Sequence, residues 1–236
     1  MSVYAISDLH GMLELYQQVK EFLKPEDKVY CLGDCGDRGP HSWETIKAVL
    51  ADDQFFYLKG NHEDMLVRTM RDYLGLDHDS STERLLRSNG GGKTLEGWCA
   101  ETQEAKEKYY QILSLLPQKV TYTNHFGVEV HLSHAGFSPD IEEKWRDYIW
   151  DRDHFYEGWH GEDDEIVVHG HTPFCYMNDA YDVEDPQGEE GDDPIHAVWY
   201  CNHHKVCIDA GAFWTGQCIL LNLDTFEEHY FYAKEV

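Results

Sequence analysis

The sequence predicts an α/β fold, and three observations carry that expectation. Strand-like and helix-like runs alternate through the first third of the chain, a helical stretch follows, and from Lys119 onward the pattern turns to β. At 236 residues the chain suits one domain with embellishments rather than two. The expected organisation is a single domain over 1–236, with a helical insertion at about 75–116 and an acidic loop at about 179–195.

Each element has its own reason. Residues 3–7 form a short apolar run, and residues 12–23 carry Leu13, Tyr16, Val19 and Phe22 at helical spacing. Residues 28–32 read as a second strand, 41–51 as a second helix and 55–58 as a third strand, with a helix from Glu63. Such a βαβαβα order implies a parallel sheet covered by helices. Residues 80–116 look helical, broken at the Asn89-Gly90-Gly91-Gly92 turn. That turn lacks the strand and the Lys-Ser/Thr spacing of a phosphate-cradling loop, so it reads as a helix–helix turn near a cleft rim. Residues 120–123 and 128–133 flank Asn124-His125-Phe126-Gly127 as a hairpin, and later strands fall at 166–169, 197–201, 205–209, 218–223 and 229–232.

Composition narrows the function classes. Hydrophobic residues make up 42% and aromatics 14%, enough for a packed core. With 45 acidic against 19 basic residues the formal net charge is −26, which repels polyanions and argues against nucleic-acid binding. Seven cysteines without a CxxC pair suggest neither a disulfide framework nor a four-sulfur zinc site. No signal-peptide pattern or long apolar span is visible, so a cytoplasmic protein away from membranes is expected. Residues 182–193 hold seven acids and no base, which reads as a solvated loop.

Chemistry concentrates where strands end. Asp8-Leu9-His10-Gly11 follows the first strand, Gly33-Asp34-Cys35-Gly36-Asp37-Arg38-Gly39 the second and Gly60-Asn61-His62-Glu63 the third, about 27 residues apart. The C-terminal ends of parallel strands lie side by side, where ligands bind in open α/β sheets. His134 and His171 follow two later strands and can join the same crevice. Oxygen and nitrogen donors without sulfur suit borderline divalent ions such as Mn²⁺, Fe²⁺ or Zn²⁺. The donor count leaves room for two: Asp8 and His10 on one, Asn61, His134 and His171 on the other, with Asp34 bridging. Two such ions can hold a bridging hydroxide for in-line phosphoryl displacement. Cys35 reads as a buried small hydrophobe, His78, His154 and His160 as solvated histidines, and His203-His204 as a hairpin turn.

Together these motifs resemble the calcineurin-like metallophosphoesterases, and within them the bacterial and phage serine/threonine protein phosphatases. The motifs are Ser7-Asp8-Leu9-His10-Gly11, the Gly-Asp-x-x-Asp-Arg-Gly run at 33–39, Gly60-Asn61-His62-Glu63, His134, Trp150-Asp151-Arg152 and Gly170-His171-Thr172-Pro173. The resemblance implies an α/β/β/α sandwich of two mixed sheets flanked by helices. It also implies metal ligation by Asp8, His10, Asp34, Asn61, His134 and His171. His62 would be the general acid with Asp37 fixing its tautomer, and Arg38, Arg152 and Asn61 would hold the substrate phosphate.

The function expected from this resemblance is a phosphomonoesterase with two divalent ions, most readily Mn²⁺, acting on phosphoserine or phosphothreonine in a protein or peptide. Nucleic acid and membrane are not expected partners, and the sequence leaves the oligomeric state open. A dinucleoside-polyphosphate hydrolase of the diadenosine tetraphosphate type is the alternative. The presence of Asp37, Arg38 and Glu63 weighs against it. A non-catalytic phosphoprotein-binding module is the weaker alternative.

Overall fold

The computed structural model describes residues 1–79, 81–137, 146–183 and 194–234. Most of the acidic run, residues 184–193, lies outside the described residues. The strand expected at 3–7 is β1 (Val3–Ile6), followed by α1 (Leu13–Phe22), β2 (Lys28–Cys31), α2 (Ser42–Leu50), β3 (Phe55–Tyr57) and α3 (Asn61–Tyr73). Three helices come next: α4 (Ser81–Ser88), α5 (Gly92–Cys99) and α6 (Gln103–Ser114). The β-rich part holds β4 (Lys119–Thr123), β5 (Glu129–Ser133), α7 (Asp147–Trp150) and β6 (Glu165–His169). It continues with β7 (Val198–Tyr200), β8 (Lys205–Cys207), α8 (Ala212–Thr215), β9 (Gln217–Asn222) and β10 (Glu228–Tyr232).

These strands build two mixed five-stranded sheets, ordered β10-β9-β1-β2-β3 and β4-β5-β6-β8-β7. β1, β2 and β3 are parallel, as the βαβαβ order requires. β9 then returns antiparallel beside β1, and β10 pairs antiparallel with β9. In the second sheet β5, β6 and β8 are parallel, while β4 and β7 are antiparallel edges.

Period-2 alternation decides what each face buries. Val3 and Ala5 of β1, Val130 and Leu132 of β5, Val168, Val206, Ile219 and Leu221 meet in the apolar layer between the sheets. The other face of the first sheet, with Tyr4, Ile6, Val29 and Cys31, packs on α1 to α6 through Leu15, Val19, Trp43, Ile46, Met65 and Trp98. The outer face of the second sheet is covered by a shorter cluster around Phe155, Met177 and Tyr200. Hence the parallel strands β1, β2, β3, β5 and β6 are anchored by the inter-sheet and helix-facing layers, and their C-terminal ends open at one edge. No helix among the described residues is long and apolar enough to cross a membrane.

Candidate functional site

Asp8, His10, Asp34, Asn61, His62, His134 and His171 all emerge at that edge, and all are buried. The backbone itself aims them. Asp8, His10, Asp34, Asp37, Arg38 and His171 adopt left-handed conformations, with φ between 42 and 67°. Each such non-glycine residue costs on the order of 1 kcal/mol, and strain of this kind gathers at functional sites. The cost is offset by hydrogen bonds between the loops: His10 N donates to Asp34 O at 2.9 Å and Gly11 N to Cys35 O at 2.7 Å. Two glycines admit the carboxylates. A Cβ on Gly60 would lie 2.1 Å from Asp34 Oδ1, and one on Gly170 would lie 2.1 Å from Asp8 Oδ2.

Asp34 Oδ2 sits at the centre. It is 3.8 Å from His10 Nε2, 3.7 Å from His62 Nε2 and 3.3 Å from His134 Nε2. Donor atoms of His10, Asp34 and His62 lie within 4.8 Å of one another, and so do those of Asp34, His134 and His171. Asp34 belongs to both groups, the position expected for a bridging ligand. Asp8 Oδ1 stands 3.8 Å from His10 Nε2, while its Oδ2 accepts from Ser7 Oγ and from His171 N at 2.9 Å. Asn61 Oδ1 faces His134 Nε2 at 2.9 Å and His171 Nδ1 at 3.0 Å.

Ring tautomers are set from outside the cluster. His10 Nδ1–H donates to Gly36 O and His134 Nδ1–H to Leu32 O, so both Nε2 atoms turn toward Asp34. Such outer hydrogen bonds are the usual device for orienting metal-ligating histidines. Burial would raise Asp34, but His134 and His62 outweigh it and hold the carboxyl well below its ordinary range. Burial works against a charged His134, yet Asp34 and Asp8 raise it to about 10. His10 is pushed down by burial, then by His62 and Arg38. In this arrangement a proton on His134 and the Arg38 guanidinium, whose Nη1 lies 2.8 Å from His10 Nε2, supply positive charge to buried carboxylates. Divalent cations fit the same demand and the same N/O donors, and their binding would displace protons.

His62 is held separately. Its Nδ1–H donates to Asp37 Oδ2 at 2.6 Å, and Thr94 Oγ1 donates to Asp37 Oδ1. Its Nε2 faces the cluster, 3.1 Å from Arg38 Nη2. Burial lowers the His62 pKa, but Asp34 and the hydrogen bond to Asp37 leave it raised on balance. Arg152 lies at the opening, its Nε donating to Thr172 Oγ1 at 2.9 Å and its Nη2 to His171 O at 3.4 Å. Arg38, Arg152 and His171 line a groove of about 530 Å³ with the exposed rings of Tyr156, Tyr176 and Trp214. The Arg38 guanidinium sits 5.8 Å from the Trp214 ring centroid.

Some residues were invisible to sequence reasoning in these roles. Glu63 accepts from the backbone N–H of Asp34, Cys35 and Gly60 and from Tyr57 Oη, tying two site loops together. Burial and Asp34 raise its pKa to about 7. Its place three residues after Gly60 was a helix-capping signal, the only hint available. Thr94 carried no signal at all. The glycine turn after α4 is more than a rim feature, because Gly90 O accepts from Arg38 N at 3.0 Å. His154 corrects an expectation: it is buried, not solvated, with Nε2–H donating to Ala135 O at 2.7 Å beside His134. The Gly136 turn packs against that ring and the buried Lys205 donates to His154 O at 2.9 Å, which leaves His154 2% exposed. Cys35 is buried, with its Sγ 3.1 Å from that of Cys31.

Comparison with known proteins places the fold and the family. A Pseudomonas fluorescens protein named a symmetrical bis(5'-nucleosyl)-tetraphosphatase is 24% identical, aligned over 95% of this chain and 90% of its own. The fold is shared with a solved structure assigned as a diadenosine tetraphosphatase (TM-score 0.63, 16% identity, 99% and 94% of the two chains). It is also shared with a Saccharomyces cerevisiae protein serine/threonine phosphatase similar to human PP5 (TM-score 0.59, 14% identity, 100% and 81%). Residues 1–206, which hold every ligand-type side chain of the cluster, match the calcineurin-like phosphoesterases, and the chain belongs to that family.

Proposed function

We propose that the chain is a metal-dependent phosphohydrolase that cleaves dinucleoside polyphosphates. The observation that carries this reading is the groove: the two arginines that can grip phosphate open directly onto exposed Tyr156, Tyr176 and Trp214. Guanidinium forks bind phosphoryl oxygens and flat aromatic faces stack on bases, so one groove suits both parts of a nucleotide. The name of the Pseudomonas relative supports the same class. Asp8, His10, Asp34, Asn61, His134 and His171 would hold two divalent ions, Mn²⁺ serving in vitro and Fe or Zn being suitable alternatives. When bound, such ions polarise a phosphoryl oxygen and generate a nucleophile from water at neutral pH.

The chain's own groups do the rest. Arg38 and Arg152 neutralise the developing charge on the phosphoryl oxygens. Asn61 adds an amide donor, and His62, oriented by Asp37, places Nε2 at the cluster to protonate the leaving oxygen.

A second reading is kept on one specific observation. A buried His62–Asp37 pair is most useful where the leaving group is a strongly basic alkoxide, as in phosphoserine or phosphothreonine. A nucleoside phosphate leaves as a weak base and needs that proton less. The deciding experiment measures kcat/KM of the Mn²⁺-loaded protein on diadenosine tetraphosphate beside phosphoserine and phosphothreonine peptides. Symmetrical cleavage into nucleoside diphosphate as the favoured reaction is expected. Peptide turnover without dinucleotide cleavage would reject the proposal in favour of the phosphoprotein reading, and no Mn²⁺-dependent turnover of any phosphate ester would reject both.

A further inference from the structure

The site described above uses the C-terminal ends of β5 and β6. At the opposite ends of the same strands three further side chains converge on the outer face of the sheet. Glu129 and His131 share that face of β5, because Val130 and Leu132 point the other way into the inter-sheet core. The parallel register pairs Glu129 with Glu165 at the start of β6. Two carboxylates side by side on neighbouring strands are destabilising unless something positive joins them.

His131 is 7% exposed and leans edge-on against Phe137, with ring centroids 5.7 Å apart. Its Nδ1 lies 2.9 Å from Thr121 Oγ1, a hydroxyl that can accept from Nδ1–H and so free the Nε2 lone pair for a cation. That buried Nε2 has no hydrogen-bond partner among the described residues and sits 3.4 Å from Glu165 Oε1. One donor atom from each of Glu129, His131 and Glu165 lies within 4.8 Å of the other two.

We propose that Glu129, His131 and Glu165 form a second, peripheral site for a borderline divalent ion of the Zn²⁺ class. Along β5, Glu129 and His131 lie five and three residues before His134, about 16 and 10 Å at ~3.3 Å per residue. Nitrogen and carboxylate donors together suit Zn²⁺, whereas Mg²⁺ and Ca²⁺ prefer oxygen alone. Ligands at about 2.0–2.2 Å in tetrahedral array stand about 3.4 Å apart. His131 and Glu165 already have that separation. Glu129 is exposed and closes the third distance by a rotamer change. The outer shell is also in place, since Thr121 orients the imidazole and Glu162 N donates to Glu165 Oε2 at 3.0 Å. The ion would clamp β5 to β6 and relieve the paired glutamates.

The test is a metal count. Chelator-stripped wild type, His131→Ala and Glu129→Gln are equilibrated with Zn²⁺, and bound metal per chain is measured by mass spectrometry of the elements. Each variant should hold one ion fewer than wild type, with unchanged activity. Equal counts in all three would overturn the proposal and leave His131 as a residue that packs on Phe137 beside Glu165. Glu129→Gln, at the exposed strand start, serves if His131→Ala fails to fold. In an Asp34→Asn background, Zn²⁺ should raise Tm by about 2–4 °C, and the added His131→Ala change should abolish that rise. A rise that persists in the double variant would also overturn it. Because the readout is the difference at the peripheral site, it stands whether or not the catalytic cluster holds its ions.

Discussion

Replacing His62 with asparagine tests the assignment of proton donor and substrate class together. The introduced side chain retains an amide N–H that can reach Asp37, whose Oδ2 lies 2.6 Å from the present Nδ1, so the buried carboxylate keeps a partner. What disappears is Nε2, the ring atom 3.7 Å from Asp34 Oδ2 and facing the cluster. Loss of a positioned general acid costs about 10²–10⁴-fold, or about 3–5 kcal/mol of barrier. That full cost applies when the leaving oxygen is an alkoxide. It shrinks toward about tenfold or less when the leaving group is a nitrophenolate or a nucleoside phosphate, because little proton transfer is needed in the transition state.

The assay is kcat with wild-type and His62→Asn protein on a phosphoserine peptide, p-nitrophenyl phosphate and diadenosine tetraphosphate, with metal content measured in parallel. A large loss on the peptide and a small one on the other two, at unchanged metal content, is expected. Equal losses on all three would refute the proton-donor role and make His62 a positioning residue. Full activity on the peptide would remove it from the reaction.

Asp34→Asn should lose bound metal and activity together, since Asp34 Oδ2 is common to both donor groups; retention of two ions would refute the bridging position. Trp214→Ala should raise KM for diadenosine tetraphosphate by about 10–100-fold, the worth of one stacked base, and leave p-nitrophenyl phosphate unaffected; equal KM values for the dinucleotide would count against the groove. Gly60→Ala should cost about 1–3 kcal/mol in urea unfolding and most of the activity, because the new Cβ would sit 2.1 Å from Asp34 Oδ1.

Acid should also destabilise the fold through the histidines behind the site. Burial pushes His169 down to about 3 and His154 well below its ordinary value. Between about pH 6.5 and 3 these two histidines bind protons in the unfolded chain that they do not bind in the folded one, so their contribution to stability falls as pH falls. Each group can contribute roughly 1 kcal/mol per pH unit in that window. Urea midpoints at pH 7.5 and 5 should differ less in His154→Gln than in wild type, and an unchanged difference would contradict this account.

Much of the candidate site was legible because the residue types that a metal cluster would need fall at the ends of successive strands. Asp8, Asp34 and Asn61 recur about 27 residues apart, which is the length of one βα unit with its loops. His134 and His171 could be added for the same reason, each closing a strand. By contrast, the buried state of His154 depends on Lys205, Gly136 and Ala135, which are brought together only by sheet packing. Thr94 reaches Asp37 across 57 positions, a distance over which no local pattern operates. The substrate class was less legible still. Asp37, Arg38 and Glu63 point toward phosphoprotein chemistry, whereas the groove of Tyr156, Tyr176 and Trp214 exists only once three separate short helical segments meet.

By itself, then, the sequence determined the α/β class, the parallel order of β1 to β3 and the donor set, because backbone periodicity and ligand chemistry are local properties. Tertiary structure alone decided that β9 returns beside β1 with β10 outside it, that Asp34 Oδ2 lies at the junction of two histidine groups, and that Arg38 faces His10 and His62. Those outcomes depend on which distant faces bury one another. A net charge of −26 could exclude polyanion coats, but the charge felt by a phosphate is set by the few buried groups within a Debye length of about 8–10 Å, and folding chooses them.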